Sequence, residues 1–172
     1  MKKLIIKFGS IGSALMVGAG LITMAIFGTD ESGYALGELI GYTSILVAML
    51  LIIVAQINYR KENEGNLSFG EGFKIGLGIS TIGGLAFGLY NAIFVLWIDP
   101  DFMRSYFAYS EKIAMTDPSF EAKYQMYEES YGVFATTFGQ SLLMFLTVFL
   151  IGFVVSIVGG LILQKKQNPE TA

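Results

Sequence analysis

Hydrophobic positions fall in four long uncharged runs, residues 8–29, 39–59, 75–98 and 130–164, separated by segments that carry all the charge. An ionised side chain in hydrocarbon costs several kcal/mol, so uncharged runs mark where a chain can lie in a membrane. The shortest run, 39–59, has 21 residues, and about 20 suffice to cross roughly 30 Å of hydrocarbon at 1.5 Å per residue. The pattern predicts an all-α membrane protein: four transmembrane helices in a compact bundle, spanning about 8–27, 35–57, 69–98 and 134–163. The segment 99–131 is polar but punctuated by aromatics three and four apart, which predicts two short amphipathic helices at the headgroup level. Residues 1–166 then form one four-helix domain, and 167–172 a disordered tail.

Local signals sharpen the boundaries. Ser68 with Glu71 three residues later is a capping box, which starts the third helix at Phe69. Asp99-Pro100-Asp101 ends it, because the residue before a proline avoids helical geometry. Asp117-Pro118 predicts a restart with Pro118 in the first helical position.

The third helix carries small residues at every fourth position: Gly72, Gly76, Ser80, Gly84, Gly88 and Ala92. Gly152, Ser156 and Gly160 repeat the spacing in the fourth helix, and Ser10, Ala14 and Gly18 in the first. Burying apolar side chains gives helices no reason to associate in lipid, whereas small residues let their backbones approach. These ladders are therefore predicted helix-packing faces, with the third helix as the packing centre. Consecutive rungs turn about 40° round the axis at 100° per residue, so the third helix is expected to meet a second neighbour towards its outer end.

Charge then sets the orientation. Lys2, Lys3, Lys7, Arg60, Lys61, Lys74, Lys165 and Lys166 fall on one side, and Arg104, Lys112 and Lys123 on the other. Positive charge stays cytoplasmic, which puts both termini inside and 99–131 outside.

The chain has no cysteine and no histidine, which removes thiolate nucleophiles, imidazole bases and the usual zinc ligands. Catalytic, cofactor-binding and metal residues are accordingly expected to be none, and the chain is not expected to be an enzyme. With a net charge of −3 and no long basic run, nucleic acid is not an expected partner. No ionisable group stands in mid-span; Thr43, Ser44, Ser80, Gln140 and Ser141 are the polar residues there, with Asn91 nearer the outer end.

Tyr59-Arg60, the run from Gly65 to Gly76 (Gly-Asn-Leu-Ser-Phe-Gly-Glu-Gly-Phe-Lys-Ile-Gly) and Trp97-Ile98-Asp99-Pro100-Asp101-Phe102 resemble the bacterial four-span membrane proteins grouped as domain-of-unknown-function family 4199. The order of spans is similar too, so the resemblance covers nearly the whole chain; at Gly72 that family often has alanine. It implies the fold and a bacterial cytoplasmic membrane location, and brings no activity or catalytic residue with it.

The expectation is thus a structural or accessory membrane protein acting through helix–helix and interfacial contacts. Its partners would be membrane lipid, a second copy of the chain or another membrane protein. A small-solute transporter or channel component without ionisable mid-membrane groups is the alternative. In the outer segment, Phe102, Tyr106, Tyr109, Phe120, Tyr124 and Tyr127 form a candidate interaction surface, rimmed by Asp101, Glu111, Glu121 and Glu128. Its competing role is anchorage in the interface, where tyrosine is at home.

Overall fold

The computed structural model describes residues 1–28 and 31–165; the expected tail at 167–172 lies outside them. The architecture is all-helical. Helix α1 spans Lys2–Phe27, α2 Tyr34–Glu62, α3 Phe69–Ile93, α4 Phe102–Glu111, α5 Phe120–Tyr131 and α6 Thr137–Leu163. Four of these, α1, α2, α3 with its extension to Ile98, and α6, are long and apolar enough to cross a membrane. Their outward sides carry bare apolar residues such as Ile22, Leu39, Leu85, Leu89 and Ile162, each more than 60% exposed, as helices surrounded by lipid require.

The chain ends its helices with the chemistry its sequence provides. The Ser68 hydroxyl accepts from the Glu71 amide at 3.3 Å while the Glu71 carboxylate accepts from the Ser68 amide at 2.9 Å, completing the capping box and beginning α3 at Phe69. Residues Phe94–Ile98 form a π turn before Asp99, so the expected single helix to Ile98 changes its winding over the last five residues. Helix α5 begins at Phe120 rather than at Pro118. Asp117 instead accepts from both the amide and the hydroxyl of Ser119, at 2.8 and 2.7 Å, and that turn holds Pro118 outside the helix. Helix α6 begins at Thr137, three residues later than expected, because Gly132–Ala135 form a short 3₁₀ turn and the Thr136 hydroxyl caps the new helix by accepting from Gly139.

The α3–α6 pair is the most extensive contact of the bundle. The two helices run antiparallel, and a methyl added at Gly72 would meet the Gly160 Cα at 3.2 Å, at Gly84 the Phe145 ring at 2.8 Å, and at Gly88 the Ser141 carbonyl at 2.8 Å. Between these, Gly76 lies on Ser156 and Gly152 on Ser80. The ladder thus stays with α6 through Gly88. Beyond it Asn91 donates to the Ser141 hydroxyl at 3.2 Å, and Ala92 is partly buried. Its second neighbour enters at the other end, where Gln56 and Ile52 of α2 reach Gly72 and Gly76. The buried core below comprises Met16, Ala48, Met49, Ile52, Ile75, Ile79 and Val148.

Helix α1 does not use the expected Ser10, Ala14 and Gly18. Ser10 and Ala14 are exposed and Gly18 has open space beside it. It packs instead through Gly9 on Ile82, Gly12 on Ala48 and Gly20 on Tyr90, with Ile5 reaching Gly78. At Gly9, Gly20 and Gly78 a larger side chain of the partner helix supplies the ridge, isoleucine or tyrosine in each case. At the end that holds the α2–α3 loop, the Leu67 and Lys165 backbones exchange two hydrogen bonds, 3.2 and 2.8 Å, which ties that loop to the end of α6.

Candidate functional site

At the opposite end the helices do not close. A cavity of about 270 Å³ opens between α1, α2, α3 and α4, lined by Met24, Tyr34, Glu38, Tyr90, Phe94 and Tyr106, among others. Its space comes from glycine: Gly20, Gly37 and Gly41 stand on its walls, and a side chain at Gly41 would meet nothing within 4 Å. The floor is Met16, 1% exposed, set on the packed core.

Rings form one side of it. Phe94, Phe102, Tyr34 and Tyr109 are linked edge to face with centroids 5.1 to 5.6 Å apart, and Tyr106 lies 5.6 Å from Tyr34. Phe94 is the first residue of the π turn that leads to Phe102. Tyr34 is buried at the start of α2, so the rings of α4 dock on it and cover the cavity from outside.

The carboxylate of Glu38, one turn into α2, is the charged group among the described residues that line the cavity, and the Tyr106 hydroxyl donates to its Oε1. This joins α2 to α4 across 68 residues of sequence. Glu38 at first sight is a residue favoured by the positive end of a helix; the structure adds the tyrosine. Hydrogen bonding to Glu38, then burial, then the carboxylate's charge push the Tyr106 phenol up to about 12. A raised phenol binds its proton more tightly when folded. The contact's stabilisation is therefore complete below about pH 10, the ordinary tyrosine value, and is lost as the pH rises through about 12. In an alkaline absorbance titration, the difference between wild type and Tyr106→Phe should show one phenol ionising near pH 12, and Glu38→Gln should bring that step down towards 10.

The six residues expected to form one outer surface are divided by the structure. Phe102, Tyr106 and Tyr109 gather on Tyr34, whereas Phe120, Tyr124 and Tyr127 gather around Phe107 between α4 and α5, and Phe120 is fully buried. Arg104 locks this second cluster. Its guanidinium lies 5.3 and 4.9 Å from the Phe120 and Tyr124 rings and pairs with Glu121, one of the four acidic rim residues. The second cluster's aromatic area is thus satisfied between α4 and α5, and the first cluster's against α2.

Sequence reasoning passed over Gln56. Its amide nitrogen is fully buried and donates to the Gly72 carbonyl at 3.0 Å and the Ser156 carbonyl at 3.3 Å, joining α2, α3 and α6. Tyr34 and Phe94 were equally silent, since no local pattern shows that they share a cavity with Glu38.

Among known families, the one described as protein of unknown function (DUF4199) has a model that matches residues 7–165. No curated protein and no solved structure matches the chain.

Proposed function

The chain belongs to the DUF4199 family of proteins of unknown function, and from that premise we propose an accessory protein of the bacterial cytoplasmic membrane that works by binding and contact rather than by turnover. Its closely packed α3–α6 pair is the frame, and the outer-end cavity is the place where a membrane-borne ligand sits. The observation that carries this reading is the cavity itself: a hollow of about 270 Å³ held open by glycines and walled by aromatic rings at the end of a bundle otherwise closely packed. Pockets with mostly apolar walls and few polar groups are where small molecules bind. Passage of a solute is the weaker reading, because Met16, Met49, Ile79 and Val148 fill the core beneath the cavity.

The orientation belongs to the same proposal: multi-pass, both termini cytoplasmic. It is supported by the eight-to-three division of Lys and Arg and by the Leu67–Lys165 pairing, which puts the α2–α3 loop and the end of α6 together. Single cysteines at Ser32, Asn63 and Ser110, in a chain without native cysteine, should react with an impermeant thiol reagent in intact cells at 32 and 110 and not at 63. Labelling at 63 would reverse the arrangement.

The binding reading is checked with Gly41→Leu. Leucine is the better helix former by about 0.5–0.8 kcal/mol and its Cβ enters open space, so the bundle should melt no lower than wild type. Protein extracted directly into lipid nanodiscs should carry a small-molecule adduct in native mass spectra, and the variant should lose it. An adduct-free wild type would remove the basis for a resident ligand.

A further inference from the structure

We infer that the outer-end cavity selects a hydrophobic ammonium: an alkyl or aryl body ending in a positively charged nitrogen. This rests on the binding reading above and names the ligand class for the same site. The body is set by size and lining. An apolar cavity of about 150 Å³ accommodates benzene, so about 270 Å³ takes two aryl groups or a single chain of roughly ten carbons. Met16, Met24 and Met144 line it together with Phe87, and methionine adapts to bodies of differing shape.

The head is set by charge. Among the described residues that line the cavity, Glu38 is the charged one and none is a lysine or an arginine. It stands at the exposed mouth, and among the described residues no cation pairs with it. Its Oε1 accepts from Tyr106, which fixes the carboxylate against the rings. Two polar side chains deeper in the walls are already engaged: Thr23 donates to the Ala19 carbonyl at 2.9 Å, and Asn91 to Ser141 at 3.2 Å. A carboxylate or phosphate head would therefore meet like charge with no compensating cation. An alcohol would leave Glu38 unused. An ammonium at the mouth meets the carboxylate beside the lining rings of Tyr34, Phe102 and Tyr106, the combination of aromatic surface and negative charge by which aromatic sites hold alkylated amines.

The experiment uses the full chain in nanodiscs of zwitterionic lipid and three photoreactive probes of equal chain length: a diazirine-bearing dodecylamine, dodecanol and dodecanoate. Adducts are mapped by peptide mass spectrometry. The amine should label the peptides containing Met24, Tyr34 and Phe94 at concentrations at least tenfold below the alcohol, and the carboxylate should label them least. Glu38→Gln keeps an acceptor for Tyr106 but no charge; it should bring the amine to the alcohol's level, and Gly41→Leu should abolish cavity labelling by both. Equal labelling by amine and alcohol in wild type, or an amine preference that survives Glu38→Gln, would overturn the ammonium inference while leaving a binding cavity. Labelling confined to lipid-facing residues such as Leu85 and Leu89 would sink both.

Discussion

Replacing Gly76 by alanine should destabilise the bundle by about 3 kcal/mol, and replacing Gly70 by alanine should stabilise it by about 0.5–1 kcal/mol. Both changes add one methyl to the same helix. At Gly70 the methyl meets nothing within 4 Å, so only the gain in helix propensity remains. At Gly76 it overlaps both the hydroxyl and the Cβ of Ser156, with Ile52 at 3.0 Å on the other side. Turning the serine hydroxyl away cannot relieve this, because its Cβ is fixed by the α6 backbone; the helices must separate. Separation would loosen the neighbouring rungs too, since Ser80 and Gly152 sit one turn further along. Gly84→Ile should follow Gly76, with Phe145 ring and carbonyl atoms at 2.8 and 3.0 Å, whereas Leu85→Ile, at a residue 61% exposed, should stay within about 0.5 kcal/mol. Reversible unfolding in bicelles measures all four. Equal losses at 84 and 85 would mean that the ladder is not a seam.

That seam was legible because its small residues repeat on two helices at once: Gly72 to Gly88 on α3 find Gly160, Ser156, Gly152, Phe145 and Ser141 on α6. The same spacing misled on α1, where Ser10 and Ala14 are exposed and Gly18 has open space beside it. A small residue is as tolerable against lipid as against a helix, so spacing alone does not give the phase; Ile82 and Tyr90 on the opposing surface, and Ile5 of α1 against Gly78, do. The four spans were legible for a stronger reason, since charge is excluded from hydrocarbon whatever the packing. The cavity was not. It depends on which side Gly20, Gly37 and Gly41 face, on the contact of Phe94 with Phe102, and on a contact between Glu38 and Tyr106 that no local pattern encodes. Nor did the aromatics of the outer segment reveal from spacing that Phe107, outside the expected stripe, would be the centre of one of their two clusters.

Gln56 is where a single atom exchange should have the next largest effect. Its Nε2 donates to two backbone carbonyls on different helices, Gly72 on α3 and Ser156 on α6, while its oxygen faces Gly159, whose missing side chain makes room for it. Gln56→Leu removes the donor but keeps most of the volume, and both carbonyls lie within long helices where backbone amides remain to satisfy them. The loss should be about 1 kcal/mol, the net worth of an ordinary hydrogen bond. Gln56→Glu keeps the shape and replaces the donor with a carboxylate facing two carbonyl oxygens in a site with 0% exposure. An uncompensated buried charge costs about 3–5 kcal/mol, so glutamate should be much the worse of the two despite being the closer in shape. In bicelles at neutral pH, the glutamate variant should unfold at clearly lower denaturant than the leucine variant. If the two are equal, the amide only fills space between α2, α3 and α6, and the three helices are held by shape alone.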